Sequence, residues 1–347
     1  MEAKIKIVIT GLRFGSTVIE EMLAGEGNQY FALYGVCDID RIKTDEAAAK
    51  YKAKAFYSLD GVLADPEVQV IGLYTPPAGR AALIRQIIRS GRDVMTTKPF
   101  ELDPVKALGI LEEANALGRI VHLNSPGPVL HETLRQIKEW VARYDLGNPV
   151  GWRADIWVNY LEKPDGSWYD DPARCPVAPI FRLGIYIIND MVRLFGAAKQ
   201  VAVMSTRLLT ERPTADNSQL SIQFQNGALA NIFGSFCIDD TQRYKSPMTI
   251  NYEHGTIYVN VMPTARGERG TLTLVAKDGG TGERIIEEAP SRGGSGRYQW
   301  EVFHEAVNKR HLNSQVYMQD IVEGLKIIEA MRRADLSGMI EKVEGAG

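Results

Sequence analysis

Gly11-Leu12-Arg13-Phe14-Gly15-Ser16 lies between an aliphatic run, residues 4–10, and a helical pattern, residues 17–23. A strand that ends in glycine and opens a helix gathers free backbone N–H groups and the positive end of the helix dipole at one point. That arrangement suits the pyrophosphate of a dinucleotide. Against the G-x-G-x-x-G pattern Gly11 matches, whereas Arg13 and Ser16 stand where the second and third glycines are expected. Taken alone, the segment reads equally well as a structural turn. Arg13 either supplies a cation to the pyrophosphate or crowds the approach that glycine permits, and Phe14 and Gly15 complete the candidate cofactor turn. Asp38 ends the second aliphatic run, residues 31–37, where a carboxylate accepts hydrogen bonds from the adenosine ribose hydroxyls; its other reading is a strand-end turn residue. Asp38 and Asp40 together would repel a 2′-phosphate, which favours NAD(H) over NADP(H), while Arg41 and Lys43 keep the second cofactor open.

These residues need a scaffold, and the first 124 residues supply its pattern. Short β-branched runs at 4–10, 31–37, 68–74, 93–96 and 120–123 alternate with helical stretches at 17–23, 44–51, 80–90 and 104–117. The connections are short, as in a right-handed doubly wound parallel sheet, the Rossmann arrangement. The run at 68–74 stops at Thr75-Pro76-Pro77, because proline cannot continue a strand ladder. Beyond Asn124 the character changes. A helical stretch at 129–144 gives way to strand patterns at 150–158, 200–208, 219–225, 229–237, 248–251, 256–261 and 271–275, with helices near 185–195 and 318–334. Turns such as Gln225-Asn226-Gly227 imply hairpins, hence an open and mostly antiparallel sheet. Residues 277–297, rich in glycine and serine, read as a mobile surface loop. The expected organisation is α/β throughout: a dinucleotide-binding domain over 1–124, and a substrate-binding and oligomerisation domain over 125–347.

Three local patterns, in order, carry a resemblance: the glycine turn at Gly11, Thr75-Pro76-Pro77, and Gly91-Arg92-Asp93-Val94-Met95-Thr96-Thr97-Lys98-Pro99. Together with Leu183-Gly184-Ile185-Tyr186-Ile187-Ile188-Asn189 downstream, they resemble the glucose–fructose oxidoreductase / inositol dehydrogenase family (Gfo/Idh/MocA) of NAD(P)-dependent oxidoreductases. The family's Glu-Lys-Pro motif appears with Thr97 in place of glutamate. Its second active-site segment appears in the Gly-x-Tyr-x-x-Asn form of one branch.

The resemblance implies hydride transfer between a nicotinamide and a hydroxyl or carbonyl carbon of a sugar, sugar acid or cyclitol. Lys98 would orient the substrate oxygen and share in proton transfer, and Tyr186 would serve as general acid/base. A free tyrosine of pKa about 10 is a poor base at neutral pH, and a neighbouring lysine cation lowers that value. Thr75, Pro76 and Lys98 would line the cofactor; Arg182 and Asn189 would reach substrate, and Asn124 substrate or nicotinamide. Arg182 stands where the family usually has aspartate. It could clamp an anionic substrate bidentately, depress the pKa of Lys98, accompany loss of catalysis, or point away from the cleft altogether. Within 159–174, Trp168 and Tyr169 suit sugar faces and Asp170 and Asp171 suit hydroxyls; the alternative is a turn-rich crossover packed on the sheet.

Composition bounds the remainder. A formal charge of −3 disfavours nucleic acid as the main partner, and no apolar run reaches the roughly 18–20 residues that span a bilayer. The opening residues carry no signal-peptide core, so the cytoplasm is the expected compartment. Three scattered cysteines and five scattered histidines give neither a disulfide framework nor a metal site, and none is expected. A homodimer or homotetramer is the expected assembly. Two rival functions remain at this level: a catalytically silent sensor of dinucleotide or sugar, and a lyase or glycosidase that retains NAD.

Overall fold

The computed structural model describes residues 4–240, 246–260, 270–278, 281–291 and 294–344. The chain divides into two compact units, Met1–Val129 with Tyr298–Gln319, and Leu130–Arg297 with Asp320–Gly347.

The first unit is a six-stranded parallel sheet of order β3-β2-β1-β4-β5-β6. Its strands are β1 (Ile5–Thr10), β2 (Phe31–Cys37), β3 (Lys54–Phe56), β4 (Val70–Leu73), β5 (Asp93–Thr96) and β6 (Val121–Leu123). Helices cover both faces of such a sheet, so its strands are buried on both sides: Ile7, Val8 and Ile9 of β1 and Val70, Ile71 and Leu73 of β4 are fully enclosed. The strand order reverses between β1 and β4, and ligands of doubly wound sheets bind at that point, beyond the carboxyl ends of the strands. Helix starts follow local chemistry. Asp40 accepts the Lys43 N–H at 3.2 Å and starts Arg41–Tyr51; Asp103 accepts from Val105 and Lys106 and starts Pro104–Ala116, with proline at its first turn.

The first helix, Leu12–Ala24, begins five residues before the sequence pattern placed it, directly on the glycine turn. A second difference concerns the C-terminal region, expected to belong wholly to the second domain. The helix Trp300–Lys309 belongs to the first unit: Trp300 and Phe303 lie 5.4 and 5.5 Å from the ring of Phe31 and close the core beneath β2.

His122 on β6 is 2% exposed, stacked 5.1 Å from Phe303, and its Nδ1 has no hydrogen-bond partner. Burial lowers its pKa to about 3. The folded imidazole therefore stays neutral where the unfolded one protonates, so stability is complete above pH 6.5 and is lost progressively as pH falls toward 3. The expected loss between pH 7 and pH 5 is about 2 kcal/mol. Urea midpoints of His122→Phe should lack this increment; a variant that loses as much stability as the wild type over that interval would show the imidazole is not its source.

The second unit carries a nine-stranded sheet of order β14-β13-β12-β11-β7-β10-β9-β8-β15. In chain order these are β7 (Pro149–Trp157), β8 (Ala198–Thr206), β9 (Asn217–Phe224), β10 (Leu229–Ser235), β11 (Met248–Tyr252), β12 (Gly255–Val259), β13 (Thr271–Lys277), β14 (Arg284–Pro290) and β15 (Glu341–Lys342). All its described pairings are antiparallel except β7 with β10. The Gln225-Asn226-Gly227 turn joins β9 to β10, with the Asn226 side chain accepting the Ala228 N–H at 3.1 Å. Val261, expected in a strand, lies outside the described residues. The stretch expected as a mobile loop contains β14, whose Glu287 accepts from Trp140 Nε1 at 2.8 Å and from the Tyr144 hydroxyl. Exposure alternates residue by residue along Arg284–Pro290, but the residue types, Arg284-Ile285-Ile286-Glu287-Glu288-Ala289, do not, so the sequence carries no period-two strand pattern there.

One face of this sheet is covered by the helix Ile185–Phe195, whose Phe195 packs on Trp152 of β7 and Phe224 of β9. Among the described residues, no helix is long and apolar enough to cross a membrane.

Candidate active site

At the β1/β4 reversal, Gly11 holds φ +89°, and a Cβ there would lie 2.8 Å from the carbonyl carbon and oxygen of Tyr74. Only glycine allows this close approach and this backbone conformation together. Gly11 gives the helix Leu12–Ala24 no side-chain cap of its own, and the first turn has no acidic residue; the carboxylate that meets this helix end comes from the end of β2. Asp38 Oδ2 accepts the Leu12 N–H at 2.8 Å and Oδ1 accepts the Asp40 N–H at 3.1 Å. Asp38 thus fixes the turn and also keeps acceptor capacity on both oxygens. Arg13 and Phe14 are exposed on the same turn, Phe14 edge-on to Tyr74 with centroids 6.0 Å apart, and Gly15 is buried. Past β4, the Thr75 Oγ1 is shielded from solvent with no hydrogen-bond partner, and Pro76 follows it half-buried. An anchored carboxylate, a tight glycine turn opening a helix and an orphaned hydroxyl around one reversal point fit a dinucleotide.

The two cations that left NADP(H) open have partners. The Arg41 guanidinium lies 4.6 Å from the ring centre of Tyr57, and Lys43 Nζ lies 3.5 Å from the Asp40 carboxylate.

Lys98 follows β5, half-buried, joined to Pro99 by a cis peptide bond. Its N–H donates to Asn124 Oδ1 at 3.1 Å. Asn124, expected at substrate or nicotinamide, is 3% exposed and holds the Lys98 backbone. A residue the sequence did not single out completes this frame. The Arg80 guanidinium, 2% exposed, donates to the carbonyls of Thr75, Thr97, Pro99 and Phe100. Burial lowers its pKa to about 10, partly offset by Glu101, so the group remains a cation at neutral pH. Glu101, equally buried, accepts from the N–H groups of Gly79, Ala81 and Leu102.

In the second unit, Tyr186 occupies the first turn of the helix Ile185–Phe195, half-buried while its neighbours Ile185, Ile187 and Ile188 are enclosed. A Cβ on Gly296, which has φ +115°, would lie 2.8 Å from Tyr186 Cε1, so the chain at Gly296 passes close to the phenol ring. Asn189, one turn on, is 2% exposed and turned into the protein. Its neighbour Asp190 accepts from His131 Nε2 at 3.1 Å, while His131 Nδ1 caps the helix Glu132–Arg143 by accepting the Leu134 N–H. The second contact requires the proton on Nε2.

Arg182 lies in a π-helical turn, Ile180–Gly184, directly before this helix. Its fork is already engaged: Nη1 and Nη2 donate to the two oxygens of Glu162 at 2.6 and 2.8 Å. The guanidinium also lies over the rings of Tyr169, Phe236 and Tyr160 at 4.1, 4.8 and 4.9 Å. The expectation of a bidentate clamp on an anionic substrate is therefore corrected: an internal carboxylate holds that place. Arg212 joins the cluster, donating to Glu162 at 3.0 Å, to Asp165 at 3.0 Å and to Asp170. Partial burial opposes ionisation of Glu162, but Arg182 and Arg212 hold its carboxyl below the usual range.

Tyr169 and Trp168, whose rings are 4.2 Å apart, form part of this cage, and Asp170 and Asp171 bond neighbouring backbone N–H groups and Arg212. These contacts are those of a turn-rich crossover packed on itself, with Trp168, Tyr169, Asp170 and Asp171 each left half-buried. Glu162→Ala leaves two enclosed guanidinium groups short of a partner, and we expect it to cost about 2 kcal/mol, Glu162→Gln about half as much. Urea midpoints of the two variants check this; unchanged midpoints would mean the cluster is energetically idle.

Residues 5–125 match the oxidoreductase family with an NAD-binding Rossmann fold, and residues 134–258 match the C-terminal domain of the same family. A UDP-N-acetylglucosamine 3-dehydrogenase of Acidithiobacillus ferrooxidans is 24% identical over 214 residues, 61% of this chain and 62% of that protein. The chain thus aligns with about three fifths of that relative's length. Solved structures that share the fold include two dehydrogenases. The WlbA dehydrogenase of Bordetella pertussis, in complex with NADH and UDP-GlcNAcA, has a TM-score of 0.73 and 16% identity, with 98% of this chain and 99% of that chain covered. A levoglucosan dehydrogenase in complex with NADH and levoglucosan has a TM-score of 0.75 and 13% identity, with the same coverage. With both its parts matched in order, the chain belongs to the Gfo/Idh/MocA family of NAD-binding oxidoreductases.

Proposed function

We propose that the protein is a dehydrogenase or reductase that moves hydride between a nicotinamide dinucleotide and a CH–OH carbon of a sugar, with NAD(H) preferred. The observation that carries the reading is the frame around Lys98: a lysine at the carboxyl end of β5, beside the β1/β4 reversal, with its backbone fixed by Asn124. Gly11, Arg13, Phe14 and Gly15 would receive the pyrophosphate, Asp38 the adenosine ribose, and Thr75 and Pro76 the nicotinamide half. Ile39, 91% exposed next to Asp38, would cover the adenine face. When bound, the nicotinamide supplies or accepts the hydride. Lys98 orients the substrate oxygen and Tyr186 passes the proton that accompanies hydride movement. The Asp38 charge, with Arg41 and Lys43 otherwise engaged, supports NAD(H) over NADP(H).

The sugar class rests on the relatives' substrates, UDP-N-acetylglucosamine and levoglucosan. Because Glu162 fills the fork of Arg182, a neutral hydroxyl-bearing ring is favoured over a carboxylate gripped there. The assembly proposed is a homodimer or homotetramer. The uncovered sheet face carries exposed Met204, Leu229, Tyr258 and Ile286, apolar surface that a second copy would bury; light scattering of the purified chain tests this.

A panel of free sugars, sugar acids and nucleotide sugars, run with NAD and with NADP and followed at about 340 nm, where the reduced nicotinamide of a dehydrogenase absorbs, tests the function. The expected result is net reduction with at least one sugar, and a fall of about 10²-fold or more in kcat for Tyr186→Phe. Turnover with no net change in absorbance would point instead to a lyase that retains its cofactor.

A further inference from the structure

We infer that Arg80 is a positioning residue that locks the cofactor-side loop and the Lys98 loop into one rigid piece. This rests on the assignment of Lys98 to chemistry. The guanidinium sits at the start of the helix Arg80–Arg89, enclosed, and donates to the carbonyl oxygens of Thr75, Thr97, Pro99 and Phe100. Thr75 belongs to the turn after β4, and the other three residues surround Lys98 after β5. Carbonyls on both sides of Lys98 therefore turn toward one buried cation. The amide of Lys98 is held independently by Asn124. With its backbone fixed at three points, the lysine side chain leaves a frame that cannot rotate as a unit.

Glu101 makes the cation sustainable. A buried guanidinium is costly without compensating charge. The Glu101 carboxylate lies close enough to favour the charged form, and it caps the N-terminus of the same helix through Gly79 and Ala81 N–H. Gly79, the residue before the helix, brings no capping side chain. Arg80 thus binds acceptors and Glu101 binds donors of the same two loops, and each has a partner a neutral residue would leave stranded. Thr97 stands in this frame where the resembling family carries glutamate, and its backbone carbonyl, not its side chain, makes the contact with Arg80.

A planar fork can reach several carbonyls at once, whereas an ammonium cannot reproduce that spread. The test uses the full chain with Arg80→Lys and Arg80→Ala, with Lys98→Ala as control. In both Arg80 variants, amide exchange of the peptide spanning residues 96–102 should quicken at least about tenfold, a readout that needs no substrate. With the sugar identified by the panel, kcat should fall about 50-fold or more while the Kd for NADH changes less than about fivefold. Guanidinium ion added at low millimolar concentration should restore part of the lost kcat in Arg80→Ala and none in Lys98→Ala.

Unchanged exchange at 96–102, or an Arg80→Lys enzyme with wild-type kcat, would overturn the proposal. If Lys98→Ala itself turns over normally, the assignment of Lys98 fails, while the exchange measurement still decides whether Arg80 locks the loops. Should Arg80→Ala fail to fold, Arg80→Lys carries both measurements.

Discussion

Lys98→Ala should lower kcat by about 10³-fold while leaving NADH affinity within a few-fold of wild type. General acid–base catalysis by a placed side chain contributes about 10²–10⁴-fold, and orientation of the substrate oxygen adds to it. The lysine is half-buried, and its backbone is held by Asn124 and by the carbonyl contacts of Arg80, so its removal should cost chemistry rather than folding. Its ammonium is one of several groups that would contact the dinucleotide, which is why binding should survive. Parallel loss of NADH binding and turnover would reassign Lys98 to cofactor affinity. A variant with ordinary kcat would remove it from the reaction.

Gly11→Ala should weaken NADH binding about 100-fold and destabilise the first unit by about 2–4 kcal/mol. A methyl group there meets the Tyr74 carbonyl carbon and oxygen at 2.8 Å, and these are backbone atoms that no side-chain rotation can clear. Nor can Tyr74 retreat easily, because its N–H donates to the Thr10 carbonyl at 2.8 Å and ties β4 to β1. The added residue must also adopt φ +89°, which an L side chain resists. The turn would have to swing outward and break the 2.8 Å bond from the Leu12 N–H to Asp38, loosening the carboxylate assigned to the ribose. Calorimetric titration with NADH reads the affinity and a urea melt reads the stability. An alanine variant that binds NADH normally would show that the pyrophosphate does not use this turn.

Much of the first unit was legible because parallel strands buried on both faces leave unbroken aliphatic runs, as in Ile5–Thr10 and Val70–Leu73. The positions of Gly11, Asp38 and Lys98 followed, since strand ends fix where such residues emerge. The helix Trp300–Lys309 was not delimited, although His304 read as part of a C-terminal helical region and Trp300, Phe303 and Val307 have helical spacing; the glycine-rich stretch before it masked where it begins. β14 was hidden because its apolar and charged residues come in adjacent pairs, Ile285-Ile286 and Glu287-Glu288, rather than alternating, within a stretch rich in Gly and Ser.

The partners of charged residues were less accessible still. Arg182 finds Glu162 twenty residues upstream across a turn-rich crossover, and no periodicity links them. Arg80 binds carbonyl oxygens, which every residue possesses, so the sequence holds no mark of its acceptors. Asn124 was singled out, but its burial behind Lys98 depends on how β5 and β6 end side by side.

Titration of purified, cofactor-stripped protein with NADH and then with NADPH, followed by calorimetry or tryptophan fluorescence, tests the dinucleotide site most directly. Micromolar binding of NADH, with NADPH weaker by about tenfold or more, is the expected result, as a fixed carboxylate at Asp38 would impose. Tighter binding of NADPH would contradict the role given to Asp38. Failure to bind either would contradict the dinucleotide site itself.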